Sequence, residues 1–200
     1  MDYRGIVARI SQLNIIHRIY IHRTAMENGI YFGQLPILEY VSSHDTALLC
    51  ELVGPTGRVL AFDIQEDAVE STRRRLIDKG LDGIGTVILD SHSNMDKYAQ
   101  KDTADCIVFN FGYLPGGNKQ LFTVADTSVE AIQKGLDLLK DGGIMCLSIY
   151  FGGPNGYTER DAILEMLKTL DPKNCTVIRC DFCNRQGDSP FPVFIVKGSY

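Results

Sequence analysis

Two runs of polar side chains stand directly after stretches that the sequence predicts as β-strands. Asp63 ends the run RVLAFD, with Gln65 two residues further on. Asp90, Ser91 and His92 follow the run GTVIL. In an open α/β sheet the ligand lies beyond the carboxyl ends of the strands, so both runs are where side chains meet it. Because a carboxylate can accept hydrogen bonds from both hydroxyls of a ribose, Asp63 and Gln65 are expected to hold an adenosyl group.

The same residue types also have a purely structural use, and the sequence leaves it open. An acid at a strand end can cap the helix that follows, which is the alternative for Asp63. The second run either faces the adenine amine, with an acid and a hydroxyl, or forms a turn.

The run FNFGYLPGGNK at residues 109–119 follows the fourth predicted strand. Asn110 supplies an amide oxygen that can accept a hydrogen bond from an amine, and Tyr113 supplies an aromatic ring to pack beside it. Such an arrangement orients the nitrogen lone pair toward an electrophilic carbon. The run resembles the Asn/Asp-Pro-Pro-Tyr motif with which amino-group methyltransferases hold a nitrogen. This resemblance implies Asn110 and Tyr113 as catalytic residues for methyl transfer to nitrogen, a displacement that depends on positioning and on an unprotonated amine. A plain glycine-rich turn is the alternative.

Short β-branched runs alternate with amphipathic runs from about Val59 onward, which predicts a mostly parallel sheet covered by helices. The predicted strands are 58–63, 85–90, 105–110, 143–150, 176–182 and 193–197, and the predicted helices are 66–79, 127–140 and 158–170. Only a turn-rich segment separates the last two strands, which predicts an antiparallel hairpin. This pattern is typical of the Rossmann-like α/β fold of class I methyltransferases, here preceded by a helical N-terminal segment.

Length and composition indicate one domain with a full core and a small appendage. The chain has 200 residues, 44% of them hydrophobic, and a net charge of -5, so RNA contact by bulk electrostatics is excluded and any such contact must be local. No apolar run approaches the roughly 20 residues of a membrane span, and a cytoplasmic location is expected. The six cysteines, including the CDFC pair Cys180 and Cys183, lack the spacing of a zinc site, and we predict no metal.

Several runs together resemble bacterial methyltransferases that were described as rRNA methylases and are associated with wobble-uridine modification of tRNA. These runs are DIQ, SH, FNFGYLPGG, LLKDGG, YFGGPNGY and NRQGDSPFPVFIVKG. The resemblance implies S-adenosylmethionine as cofactor, tRNA as substrate, and N-methylation of the aminomethyl group of wobble (2-thio)uridine. It implies cofactor contacts from His44, Asp45, Thr46, Asp63, Gln65, Ser91, His92 and Asn110, substrate contacts from Asn110 and Tyr113, and an RNA-facing mouth at Asn184 and Gln186.

The chain departs from this family at the first strand and its glycine turn. The family pattern Asp-Ala-Thr-x-Gly-Asn-Gly-His-Asp-Thr is reduced here to His44-Asp45-Thr46, preceded by Ser42-Ser43. The family's Gly-His-Pro after the fifth strand is Gly152-Gly153-Pro154. Glycines let the backbone approach a ligand closely, so their loss predicts weakened cofactor binding. An inactive or weakly binding methyltransferase-like protein is therefore the alternative function.

The N-terminal segment has a character of its own. Apolar residues from Ile6 to Tyr20 recur at helical spacing among basic residues, which predicts an amphipathic helix. Residues 36–41 fit either a strand or a second helix that starts near Gln34. The stretch GIYFGQLPILEYVSSHD resembles the opening of MarR-type regulators, whose first helix dimerises, and implies a homodimer; the recognition helix and wing of a DNA-binding regulator do not follow. We predict a MarR-like segment at residues 1–43 and a methyltransferase domain at residues 44–200.

Overall fold

Strands and helices alternate through most of the chain. The computed structural model describes residues 36–40, 43–111, 125–149, 156–181, 183–184 and 189–198, with backbone alone for 36–40 and 43–44. The strands in these ranges are β1 Pro36–Tyr40, β2 Arg58–Asp63, β3 Gly85–Leu89, β4 Ala104–Phe111, β5 Leu139–Ile149, β6 Cys175–Arg179 and β7 Phe191–Lys197. The α-helices are α1 Ser43–Val53, α2 Glu66–Asp78, α3 Ala125–Leu138 and α4 Gly156–Lys168, and a 3-10 helix covers His92–Lys97.

The described strands form one sheet in the order β3-β2-β1-β4-β5-β7-β6. The first five strands are mutually parallel, whereas β7 is antiparallel to both β5 and β6. The chain order reverses between β1 and β4, so the crevice for a ligand is expected beyond the carboxyl ends of these two strands. The predicted fold class, a Rossmann-like class I methyltransferase sheet with a C-terminal antiparallel hairpin, is confirmed. The helix predicted within residues 1–35 lies outside the described residues.

Residues Pro36–Tyr40 form the central strand of the sheet. Leu38 is paired with Leu60 on one side and with Ile107 on the other. This decides between the two interpretations of residues 36–41 in favour of the strand, and the regulator-like second helix over this stretch is wrong. By its internal contacts the chain separates into Met1–Phe32 and Gly33–Tyr200, and the second unit contains β1. The division at residues 43 and 44 stays a prediction.

Apolar side chains form a core on each face of the sheet. One core contains α1 and α2 residues packed on β2 and β3, among them Leu49, Val59 and Leu76. The other contains α3 and α4 residues packed on β4, β5 and β7, among them Phe109, Ile132 and Leu147. Both faces of the parallel strands are buried, which is why these strands read as continuous apolar runs.

The junction between α3 and β5 differs from the prediction. The sequence predicts a helix that ends at Lys140 and a strand that begins at Gly143, but α3 ends at Leu138 and β5 starts at Leu139. Leu139 already pairs with Ala104 of β4, across a shift in register. Strand pairing therefore overrides the helical periodicity at this point, a tertiary effect that local patterns do not contain.

No helix in the described ranges is long and apolar enough to cross a membrane.

Candidate active site

The parallel strands bring the predicted site residues to one edge of the sheet. Asp63 is paired with Leu89, the residue before Asp90. Phe109, the residue before Asn110, is paired with the end of β1. The strands β1 to β4 lie side by side in the sheet, so their carboxyl ends line a single edge, which is where open α/β sheets bind their ligands.

The two carboxylate oxygens of Asp63 differ in the hydrogen bonds that they accept. Its Oδ1 accepts one from the backbone N–H of Gln65 at 2.8 Å, and within the described ranges Oδ2 accepts none. Burial raises the pKa of this carboxyl, while the backbone N–H groups of Gln65 and Ile64 act in the opposite direction. A partly buried carboxylate with an oxygen to spare fits the diol of a ribose, whose hydroxyls would offset the desolvation of the charge. Gln65 itself is the N-cap of α2 but makes no side-chain capping bond.

Asp90 and Ser91 make the hydrogen bonds of a turn, which is one of the two uses that the sequence leaves open. Asp90 accepts hydrogen bonds at Oδ1 from Asn94 Nδ2 and the Ser91 backbone, both at 2.7 Å, and at Oδ2 from the Tyr98 hydroxyl at 2.9 Å. These bonds lower the pKa of the Asp90 carboxyl. Ser91 Oγ caps the 3-10 helix by accepting from the Ser93 N–H at 3.2 Å. The geometry matches the turn-forming alternative, and a contact of Ser91 with adenine stays a prediction.

His92 lies in the core and not on the open edge. It is 5% exposed, and its ring meets Phe109 and Phe111 edge-on at centroid distances of 6.1 and 5.9 Å. Burial lowers its pKa to about 4, so the imidazole is neutral near pH 7. Its position supports the wall of the site from behind, and a direct cofactor contact stays a prediction.

Asn110 stands on the side of β4 opposite this aromatic wall. Phe109 and Phe111 are stacked at 4.9 Å in the α3 and α4 core, and side chains alternate along a strand, so Asn110 points to the α1 and α2 face. Asn110 is half-buried, in register with Ser148 of β5, which is 7% exposed. An amide in this half-covered position can offer its oxygen to an amine at the edge. Tyr113 lies outside the described residues.

The trio His44-Asp45-Thr46 forms the first turn of α1, which begins three residues after β1 ends. Asp45 is half-buried, whereas Thr46 is 0% exposed. Asp45 is therefore partly accessible in the first turn of α1, whereas Thr46 packs inside. An acid in a first helical turn is also favoured by the helix dipole, so the trio has a structural use beside the predicted cofactor contact.

Two further helices start at the same edge, because α3 and α4 follow β4 and β5. Their first turns are joined by a hydrogen bond of 2.5 Å from Ser128 Oγ to Glu159 Oε1. These two side chains are 0% and 4% exposed, so the bond fixes both helix starts. Asn184 is exposed beyond β6, and its place at an RNA-facing mouth stays a prediction. Gln186 lies outside the described residues.

Sequence reasoning missed an apolar rim around these polar groups. Ile64, Leu89 and Tyr98 are 50%, 49% and 45% exposed, although large apolar side chains are usually covered. Ile64 follows Asp63 directly, and Tyr98 packs edge-on against Phe62 at 5.4 Å. Exposed apolar side chains beside a carboxylate suit the flat face of a nucleobase next to its ribose. The signal in the sequence was the apolar residue between Asp63 and Gln65.

In the described part of the chain, no group of three or more His, Cys, Asp or Glu residues has the arrangement of a metal site.

Comparison with known proteins agrees with this architecture. A tRNA (mnm(5)s(2)U34)-methyltransferase, chloroplastic, from Arabidopsis thaliana is 36% identical over 150 residues, which are 72% of this chain and 54% of the relative. The chain thus spans about half the length of that relative. The chain is similar to the crystal structure of a protein described as a putative rRNA methylase from Clostridium thermocellum. The TM-score is 0.82 and the identity 37%, covering 92% of this chain and 96% of the other.

A second solved structure is that of SMU.1697c, a putative methyltransferase from Streptococcus mutans in complex with SAH. Its TM-score is 0.74 and its identity 29%, covering 87% of this chain and 97% of the other. The family model described as "Putative rRNA methylase" matches residues 59–196, from the second strand of the sheet to the last. The chain belongs to this rRNA methylase family.

Proposed function

We propose that the protein transfers a methyl group from S-adenosylmethionine to an amino group of an RNA nucleotide, and that this is the aminomethyl group of wobble (2-thio)uridine in tRNA. The observation that carries the proposal is the placement of Asn110 next to the end of β1, on the same edge as Asp63. The similarity to the Arabidopsis wobble-uridine methyltransferase supports the choice of RNA position.

The chain's own residues bind and orient the reactants. Asp63 Oδ2 would accept a hydrogen bond from the ribose of the cofactor, and Ile64 would lie against its base. Asn110 accepts an N–H bond from the substrate amine and turns its lone pair toward the cofactor. When bound, S-adenosylmethionine supplies an electrophilic methyl group on a sulfonium. Because the amine must be unprotonated to attack, holding it in a half-buried site favours the neutral form.

The first experiment measures methyl transfer to an anticodon stem-loop RNA that carries aminomethyl-2-thiouridine at the wobble position. We expect the methylaminomethyl nucleoside by mass spectrometry, and no product from an RNA with unmodified uridine. Calorimetry with S-adenosylhomocysteine tests the cofactor site separately. If no heat is measured at millimolar ligand, the proposal that the protein is an enzyme is contradicted. The alternative, a methyltransferase-like protein that no longer binds the cofactor, is then favoured.

Substitution of Asn110 tests its positioning of the amine. Asn110→Ala removes the acceptor, and we expect kcat to fall on the order of 100-fold because reactant positioning is the main source of rate in such a displacement. Asn110→Asp keeps an acceptor oxygen at the same place and is expected to retain more activity. S-adenosylhomocysteine affinity is measured for both variants, and an equal loss of affinity and of kcat would mean that Asn110 serves the cofactor and not the amine.

A further inference from the structure

Ser148 is a buried polar side chain to which the proposed reaction assigns no task. It is the residue before the end of β5 and is 7% exposed. Within the described residues its hydroxyl makes no hydrogen bond. Because buried polar groups in folded proteins nearly always have a partner, a hydroxyl that is held in place without one points to a bound molecule.

Strand register places Ser148 beside Asn110. The two residues are partners in the parallel pairing of β5 with β4, and partners on neighbouring strands lie about 4.8 Å apart with their side chains on the same face. Leu147 and Ile149 belong to the core under α3 and α4, so Ser148 points to the opposite face, as Asn110 does. The Asn110 amide likewise has no hydrogen bond in the part of the chain that the structure describes.

The surroundings of this pair within the sheet are apolar. On the same face, two positions earlier in each strand, lie Val108, which is 3% exposed, and the half-buried Cys146. Pro192 of β7 is the partner of Ser148 on its other side, and a proline has no N–H to donate. Among these neighbours Asn110 alone is polar. Ser148 and Asn110 therefore form a polar pair at the carboxyl edge, above an apolar floor.

The two side chains match the hydrogen-bonding needs of a primary amine. An amine that attacks through its lone pair has two N–H bonds to place, and the proposed reaction gives one of them to Asn110 Oδ1. A serine oxygen can accept the other. When both N–H bonds are held, the direction of the lone pair is fixed, which is the main requirement of an in-line displacement.

We propose that Ser148 Oγ accepts the second N–H bond of the substrate amine and thereby limits the reaction to one methyl group. This inference rests on the proposed function, in which an amine is the methyl acceptor. In the transfer the nitrogen lone pair forms the new N–C bond, while the C–S bond breaks and its electron pair stays on sulfur. The product is a methylammonium group that still carries both N–H hydrogens.

Two acceptors also reject the product as a second substrate. Once the methylammonium group has lost a proton to water, its nitrogen has a single N–H bond. If its lone pair faces the cofactor, its N-methyl group lies against an acceptor oxygen, and Asn110 or Ser148 is left without a hydrogen bond. Sites discriminate strongly against analogues that leave their polar groups unpaired.

Ser148→Ala is tested on two stem-loop RNAs, which carry the aminomethyl or the methylaminomethyl group at the wobble position. We expect the rate with the aminomethyl RNA to fall about tenfold, the effect of one lost hydrogen bond. The rate with the methylaminomethyl RNA should rise, so that a dimethylated nucleoside appears by mass spectrometry. The ratio of the two rates is the readout, because a merely structural defect lowers both rates alike.

Ser148→Thr and Ser148→Val separate the hydroxyl from the shape of the side chain. Threonine and valine have the same shape, but only threonine has an acceptor oxygen. We expect the threonine variant to methylate the aminomethyl RNA faster than the valine variant, and equal rates would contradict a role for the hydroxyl. Ser71→Ala is the control, because Ser71 is exposed on α2. Thermal melting and S-adenosylhomocysteine affinity should be the same in all these variants.

The outcomes separate this proposal from the function on which it rests. If the unmodified protein methylates neither RNA, the proposed function fails, and fluorescence anisotropy of both labelled RNAs with S-adenosylhomocysteine present still decides the role of Ser148. Tighter binding of the aminomethyl RNA that is lost in Ser148→Ala then supports the role, and any other pattern refutes it. If the aminomethyl RNA is methylated while Ser148→Ala keeps the ratio of rates within about twofold, Ser148 does not hold the amine and the function stands.

Discussion

Asp63 and Asp90 end neighbouring strands, and their carboxyl groups differ in what surrounds them. Burial raises the pKa of Asp63, whereas hydrogen bonds from Asn94, Tyr98 and Ser91 lower that of Asp90. The charge of Asp63 is therefore costly in the protein alone, and that of Asp90 is stabilised within it. A group that destabilises the protein but faces a ligand edge is the usual mark of a binding residue.

The substitution Asp63→Asn separates stability from binding at this residue. Because the folded pKa of Asp63 lies above the unfolded value, the free energy of unfolding falls as the pH rises from the unfolded pKa through the folded pKa, and the ionised group is destabilising above both. Asparagine has no charge and can still accept from the Gln65 N–H, so we expect an equal or higher Tm at pH 7. S-adenosylhomocysteine affinity should fall by about 10- to 100-fold, the loss of charge-assisted hydrogen bonds. Calorimetry and melting of the same samples test both, and a lower Tm with unchanged affinity would assign Asp63 to the fold.

Asp90→Asn provides the comparison, because its linkage has the opposite sign. The lowered pKa of Asp90 contributes stability above the unfolded pKa, which is lost as the pH falls through the folded pKa. We expect Asp90→Asn to lower Tm at pH 7 and to have a smaller effect in acid. Melting curves of both proteins from pH 7 down through the folded pKa of Asp90 test this. A difference in Tm that stays constant into acid would show that the Asp90 carboxylate is not its source.

His92 is expected to make the protein sensitive to mild acid. Burial lowers the pKa of His92 from 6.5 to about 4. Between pH 4 and pH 6.5, His92 is therefore protonated in the unfolded chain but remains neutral in the folded protein. The difference of about 2.5 units corresponds to roughly 3 kcal/mol lost from the free energy of unfolding as the pH falls through this window. His92→Gln cannot titrate and should show a flatter curve over pH 4 to 6.5. Parallel curves for the two proteins in urea titrations would contradict this.

At the scale of elements, Lys197 joins the end of β7 to the end of α3. Its Nζ donates to the backbone carbonyls of Leu136 and Leu139 at 2.8 and 2.5 Å and to Asp102 Oδ1 at 2.7 Å. Carbonyls at a helix C-terminus have no partner within the helix, and a cation there also interacts favourably with the helix dipole. The lysine thus holds the edge opposite the candidate active site.

Lys197→Met is expected to lower the free energy of unfolding by about 2 kcal/mol, because two partly buried carbonyls lose a charged donor. Lys168→Met is the matched control, since Lys168 makes a single ion pair with Glu165 and is 70% exposed, and its effect should stay within about 0.5 kcal/mol. Urea unfolding measures both variants. Equal effects would show that Lys197 is no more than a surface charge.

Most helices and strands can be predicted from the sequence because their patterns are local. The prediction fails where contacts with residues distant in the chain determine the structure. The strand at residues 58–63 and the antiparallel β6–β7 hairpin follow from apolar runs and turn residues. The sequence puts Ser42 and Ser43 in the place of the family's glycine turn, whereas α1 already begins at Ser43. The packing of Phe109 and Phe111 around the His92 ring is a long-range contact that no local pattern contains, and the predicted cofactor contact of His92 stays a prediction. The position of Asp63 and Asn110 at the carboxyl edge of the sheet could be predicted because strand ends have a fixed geometry in this fold, and their roles there stay predictions.

At the scale of the whole molecule, β1 decides how much of the chain the enzyme needs. It pairs with both β2 and β4, so a chain that begins at residue 44 would leave β3-β2 separated from β4-β5-β7-β6. The unit Gly33–Tyr200 contains every strand that the structure describes. A boundary at residue 33 therefore keeps the sheet whole, whereas a boundary at residue 44 removes its centre.

Two truncations test this argument. The chain from residue 33 is expected to unfold cooperatively in urea and to bind S-adenosylhomocysteine, because its sheet retains the switch point between β1 and β4. The chain from residue 44 should lose both the cooperative transition and the binding, since two exposed strand edges replace a central strand. Circular dichroism and calorimetry give the readouts. Cooperative unfolding of the shorter chain would show that the methyltransferase core is complete without Pro36–Tyr40, and would restore residue 44 as the domain boundary.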